Sequence, residues 1–231
     1  MSNQGSGKGS SNAASGRGGS DDNKVPYAGG HGADDPAIHQ EHHFDWSNEG
    51  THTAGSDDGA AYSGPVNYLQ WQYIWSGPDG RAIMCSVDNA FIHGGSGDDA
   101  VTAHGGHNVL DGGSGSNFLT GGSGADGGSD TFFADARGGG PVWSTLVNVH
   151  AGDDATVWGF KPGVSSYAWA ENEGAQGYKG ATLHVETQGT GTGVDASVTF
   201  AGMSVADAKA RMDISSGSSG GAGYLAVHDH G

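Results

Sequence analysis

Gly94-Gly-Ser-Gly-Asp-Asp-Ala-Val-Thr102, Ala103-His-Gly-Gly-His-Asn-Val-Leu-Asp111, Gly112-Gly-Ser-Gly-Ser-Asn-Phe-Leu-Thr120 and Gly121-Gly-Ser-Gly-Ala-Asp-Gly-Gly-Ser129 stand in one unbroken nine-residue frame. Gly-Gly pairs at 94–95, 112–113 and 121–122 are spaced by 18 and 9 residues. Position six reads Asp99, Asn108, Asn117 and Asp126, and position eight reads Val101, Leu110, Leu119 and Gly128. A fixed short period is the mark of a coiled repeat architecture. Stepping the frame back puts Ile92 at position eight of a preceding segment, and Asp130-Thr-Phe132 repeats the ending out of phase.

The pattern dictates a geometry. Six residues of each nonad form a turn and three form a short strand. Glycine tolerates positive φ and lets backbone carbonyls converge. The position-eight side chain points inward. Two nonads complete one coil, so loops 18 residues apart lie over each other and their position-six oxygens converge. A hard cation held wholly by oxygens suits such a site, which is calcium chemistry.

These nonads resemble those of the RTX, or haemolysin-type calcium-binding, proteins. That resemblance covers about residues 88–135. It implies an all-β fold with a short parallel β-roll holding Ca²⁺ between its turns. Carried over residue by residue, one site lies between loops 94–99 and 112–117, using Asp99, Asn117 and the carbonyls of Gly95, Gly97, Gly112 and Ser114. A second, weaker site lies between 103–108 and 121–126, using Asn108, Asp126, Gly121 and Ser123. The segment Ala151-Gly-Asp-Asp-Ala-Thr-Val-Trp-Gly-Phe160 resembles the strand that follows such rolls. The sequence departs from the family pattern where Asn108 and Asn117 replace aspartate, where the second nonad opens Ala-His, and where Gly128 breaks position eight.

Composition agrees with a fold of this kind. Gly is 46 of 231 residues, while Leu, Ile, Val and Phe together number only 33, so no large aliphatic core is available. Nine Lys+Arg against 26 Asp+Glu leave no basic patch, which argues against nucleic-acid binding. No apolar run reaches the length of a membrane span. The lone Cys85 makes no intrachain disulfide.

The organisation expected is a disordered Gly/Ser/His-rich arm over 1–60 and one β domain over 61–231. Within the domain, 61–90 reads as a β-hairpin cap. Val66-Asn-Tyr-Leu-Gln-Trp-Gln-Tyr-Ile-Trp75 and Arg81–Val87 would be its strands, and Ser76–Gly80 its turn. Residues 91–135 form the roll, and 136–231 supply further strands at 142–149, 155–160, 181–187, 195–201 and 224–228. Ser204 caps a helix over 205–212, and Gly217–Gly223 reads as a linker. In the arm, His39-Gln-Glu-His42-His43-Phe-Asp45 offers a transition-metal alternative, with His39 and His43 sharing an ion if helical.

The functional expectation is a secreted calcium-binding protein with a structural, surface or matrix role and an unnamed cell-surface or polysaccharide partner. The resemblance implies export by type I secretion machinery through a C-terminal signal, reconciling an extracellular location with an N-terminus that lacks an apolar leader. A site with Kd of about 10⁻⁴ M is empty in the cytosol. Millimolar calcium outside then stabilises the fold by about 1.4 kcal/mol per site. The expectation is of a protein that is not an enzyme: neither HExxH nor GxSxG occurs, and the carboxylate pairs 57–58, 98–99 and 153–154 are explained by calcium or solvent. A secreted hydrolase carried by the repeat module is the alternative, beside metal handling by the arm.

Overall fold

A computed structural model describes residues 42–45, 71–74, 78, 80–85, 88–103, 105–123, 128–138 and 141–231. The first strands are β1 (His42–Asp45), β2 (Trp71–Ile74), β3 (Arg81–Cys85), β4 (Ala90–His93), β5 (Ala100–Ala103), β6 (Val109–Asp111), β7 (Gly115–Thr120) and β8 (Thr131–Asp135). They continue as β9 (Val142–Val147), β10 (Asp154–Trp158), β11 (Ser166–Glu173), β12 (Gly180–Glu186), β13 (Ala196–Ala201), β14 (Met212–Ser219) and β15 (Ala222–Asp229). One α-helix, α1 (Val205–Arg211), is present among the described residues. The class is thus mostly β. No helix among the described residues is long and apolar enough to cross a membrane.

The strands form two mixed, largely parallel sheets. The first has the order β1-β3-β5-β7-β9-β13-β12-β11 and the second β14-β15-β10-β8-β6-β4-β2. From β2 to β10, consecutive strands alternate between the sheets, and from β3 on each pairs in parallel with the strand two before it. The register is the nonapeptide frame doubled: Val101 faces Ile83 and Leu119 faces Val101 in the first sheet, and Leu110 faces Ile92 in the second. These side chains, with Leu146 and Phe132, are almost wholly buried between the sheets. Where position eight becomes Gly128, four extra residues lengthen the loop. Phe132 then faces Leu110 in its place, a separation of 22 residues instead of 18.

The stretch expected to form a hairpin does something else. β2 and β3 lie in different sheets and do not pair with each other. Aromatic and β-branched composition alone does not distinguish paired strands of a hairpin from strands that join different sheets. Within the expected arm, β1 runs parallel to β3. His42 and His43 therefore stand on a strand, not on a helix. The rest of residues 1–60, including His31, His39 and His52, lies outside the described residues.

Beyond the repeat, antiparallel strands complete both sheets. β12 and β11 follow β13 in the first, and β15 and then β14 follow β10 in the second. The strands expected at 142–149, 155–160, 181–187, 195–201 and 224–228 are β9, β10, β12, β13 and β15 with shifted ends. Ser204 caps α1, its hydroxyl accepting from the Asp207 N–H at 3.1 Å. β11 and β14 were not expected. Both are half-exposed edge strands with mixed burial, so neither carries a clean apolar alternation. The expected linker is the turn of the β14–β15 hairpin, with Gly220 and Gly221 at positive φ. One apolar cluster runs from Tyr73 to Val227, so the repeat and the C-terminal strands share a core.

Candidate functional site: the stacked loops

The loop 94–99 lies directly on residues 112–117, where the expected six-residue turn is shorter because Gly115–Asn117 already belong to β7. Ser114 N–H donates to the Gly95 carbonyl at 3.0 Å. A Cβ on Gly113 would fall 1.7 Å from that carbonyl oxygen, and Gly113 has φ +78°, so this position accepts only glycine. A Cβ on Gly115 would fall 2.5 Å from the Gly97 oxygen. The Gly95 and Gly97 carbonyls thus lie against Gly113 and Gly115, while Gly94 packs on the Asp99 side chain and Gly112 on that of Asn117. Near the second pair, a Cβ on Gly122 would fall 2.9 Å from Gly105 N and one on Gly128 1.9 Å from the Gly106 oxygen. Of its predicted ligands, Asn108, Gly121 and Ser123 are described. Asp126 lies outside the described residues, and Asp130 occupies the ladder position that the frame gave to it.

Asp99, Asn117 and Asn108 of position six, with Asp130 and Asp153, build two hydrogen-bond ladders. In the first sheet, Asp99 Oδ1 accepts from Arg81 N–H at 2.8 Å, and Asn117 Oδ1 accepts from Asp99 N–H at 2.9 Å. In the second, Asn108 Oδ1 accepts from Ala90 N–H at 3.1 Å, Asp130 Oδ1 from Asn108 N–H at 3.0 Å, and Asp153 Oδ1 from Asp130 N–H at 2.8 Å. All five side chains are buried. Buried polar groups must find partners or cost stability, and the ladder supplies one partner to each.

The second atom of each side chain separates them. Asn117 Nδ2 donates to the Gly113 carbonyl at 3.1 Å, and Asn108 Nδ2 donates to the Gly105 carbonyl at 2.7 Å. The amide orientation is forced, since its oxygen meets an N–H and its nitrogen meets a carbonyl. Asp130 Oδ2 accepts from Gly122 N–H at 2.7 Å, and Asp153 Oδ2 accepts from His150 N–H at 3.0 Å. Asp99 Oδ2 alone among these atoms is buried without a partner. Gly94 leaves the space it occupies: a Cβ there would stand 2.6 Å from it.

Electrostatics follow from this arrangement. Burial pushes the Asp99 carboxyl up from 3.8 to about 7, outweighing the Arg81 N–H and the Arg81 charge. Burial also raises Asp153, to about 6, and Asp130. Histidines line the loops as well. His93 Nδ1 meets Asp111 Oδ2 at 2.8 Å, His107 Nδ1 meets Ser129 Oγ at 3.1 Å, and His150 Nε2 meets the Gly122 carbonyl at 3.2 Å. Sequence reading singled out none of these three. The 18-residue spacing of His93 and Asp111, one full coil, is the signal that identifies that pair.

Among the described residues, no three His, Cys, Asp or Glu side chains converge as a metal cluster. A cation here would draw on one carboxylate and backbone oxygens instead. A buried carboxylate oxygen without a donor is a ligand of the kind calcium takes. Scans of family models, curated proteins and solved structures return no match to this chain.

Proposed function

We propose that the chain is a calcium-binding protein whose repeat forms a short β-roll and takes up Ca²⁺ at Asp99, between the loops 94–99 and 112–117. The observation that carries this reading is the buried Asp99 oxygen without a hydrogen-bond donor. Asp99, with the carbonyls of Gly97, Gly112 and Ser114, would hold the ion. Its charge would neutralise a carboxylate that burial otherwise disfavours, and its bonds would tie two coils together. The alternation of strands between sheets and the 18-residue register support the roll.

The second loop pair needs no ion on this reading. There the Asn108 amide already satisfies the Gly105 carbonyl, and Asp130 is served by Gly122. The proposal is therefore one structural calcium per repeat region. A secreted protein with a structural, surface or matrix role, exported by a type I route and ordered by calcium on arrival, fits the acidic, glycine-rich composition. The test is circular dichroism and thermal melting in EGTA, in millimolar Ca²⁺ and in millimolar Mg²⁺. Calcium is expected to raise the melting temperature and magnesium is not, because Mg²⁺ demands close octahedral ligands and sheds water reluctantly. Equal melting in all three would overturn the reading.

A further inference from the structure

The outer face of the first sheet carries a second arrangement, built mainly on strands after the nonads and adjoining the third of them, since Gly115 and Ser116 line the same cleft. Trp143 on β9, Ser197 on β13 and His184 on β12 stand directly opposite one another across three adjacent strands. His184 Nδ1 lies 2.8 Å from Ser197 Oγ, and His184 Nε2 lies 2.8 Å from Glu173 Oε2 on β11. An ionised carboxylate only accepts, so Nε2 carries the ring proton and Nδ1 accepts from the seryl O–H. This is a nucleophile, a base and an orienting carboxylate in hydrogen-bonded sequence. The Trp143 ring meets the imidazole edge to face, with centroids 5.6 Å apart. Ser197 and His184 line a cleft of about 360 Å³, whose other walls include Pro141, Val142, Trp143 and Val194.

We propose that this cleft is an acyl-transfer site at which Ser197 is the nucleophile, His184 the general base and Glu173 the positioning residue, acting on aryl esters with a small acyl group. In the first step Ser197 Oγ bonds to the ester carbonyl carbon while its proton passes to His184 Nδ1. The bond from that carbon to the aryl oxygen then breaks, and the phenol leaves with the proton. In the second step water gives a proton to His184 and its oxygen to the acyl carbon, releasing the carboxylic acid and restoring Ser197. Ester and water become acid and phenol.

Two features select the substrate. The apolar walls favour an aromatic leaving group beside Trp143. β13 is hydrogen-bonded on both sides, so the Ser197 N–H is committed to a ladder and does not serve a developing oxyanion. Without that contribution, the site suits esters whose leaving group is already stable, and not amides.

The test uses the full chain in millimolar calcium with 4-nitrophenyl acetate, followed by peptide mapping. The expected result is a burst of on the order of one phenolate per chain and an acetyl group on Ser197. His184→Gln should slow acylation by about 10²-fold or more. Glu173→Gln should lower the maximal acylation rate and leave the half-saturating ester concentration unchanged, a split that a purely structural role would not produce. Ser197→Ala should abolish the adduct. Acetyl found only on lysines or the N-terminus of the wild-type chain would overturn the proposal, whether or not the variants fold. Calcium-dependent melting is read separately, so failure here leaves the calcium reading standing.

Discussion

Two loops one coil apart, 94–99 and 112–117, share the Gly-Gly-Ser-Gly opening and differ at position six. In the second, the Asn117 amide closes the loop by itself, donating to Gly113 and accepting from Asp99. In the first, Asp99 makes the same ladder bond through Oδ1, but its other oxygen has nothing to donate toward a carbonyl. Asp130 and Asp153 satisfy their second oxygens with backbone N–H groups, whereas that of Asp99 has no donor, and an amide such as Asn117 replaces the charge with one N–H. On the proposed reading, Asn108 and Asn117 stand where the loops close without an ion, and Asp99, whose second oxygen lacks a donor, stands where one would bind.

The largest expected effect erases this contrast. The double change Asn108→Asp and Asn117→Asp puts an uncompensated buried carboxylate in each loop. Each should cost about 3–5 kcal/mol in EGTA, with most of the loss restored by millimolar calcium in urea titrations. Restoration by neither calcium nor acid would break the comparison. The next effect is a pH dependence without calcium. A carboxyl raised in the folded state is neutral in both states at low pH and carries its full cost once pH exceeds the folded value. For Asp99, a rise from 3.8 to about 7 is at most about 4 kcal/mol at about 1.4 kcal/mol per pH unit. Stability in EGTA should therefore fall between about pH 4 and pH 7. Asp153, raised to about 6, adds a loss of the same sign, and Asp99→Asn should remove only the Asp99 portion. Third, Gly113→Ala should cost about 1–3 kcal/mol with or without calcium, because its Cβ strikes the Gly95 carbonyl whatever fills the site. The smallest effect concerns the edge. Deleting residues 1–58 removes β1 from β3, which holds Asp99 through Arg81 N–H. The calcium midpoint should move less than twofold, on the order of 0.4 kcal/mol, as read by calorimetry.

Much of this was legible beforehand because it is periodic. The 18-residue register and the inward stack of Val101, Leu110 and Leu119 follow from spacing alone. The partner of each position-six atom did not, because the frame treats Asp and Asn alike as oxygen donors, while hydrogen-bond direction separates them. Asp130-Thr-Phe132 is visible as an out-of-phase repeat of the ending, but the strict nine-residue count gives the ladder position to Asp126, because it does not allow for the four extra residues that precede Phe132. The pairing of β2 and β3 was misread because two apolar runs around a Gly-Pro turn fit a hairpin and a sheet-to-sheet crossing equally well. Ser197, His184 and Glu173 come together only through the cross-strand register of β11, β12 and β13, which no linear motif records.

The most direct test of the account is a calcium titration by calorimetry of the wild-type chain beside Asp99→Asn. The wild type should bind on the order of one ion per chain in the range expected of extracellular sites, about 10⁻⁴–10⁻³ M. Asp99→Asn should bind none there and should melt in EGTA at or above the wild-type temperature, its new amide closing the loop as Asn117 does. Unchanged calcium binding in Asp99→Asn, or a variant that unfolds more readily in EGTA than the wild type, would contradict it.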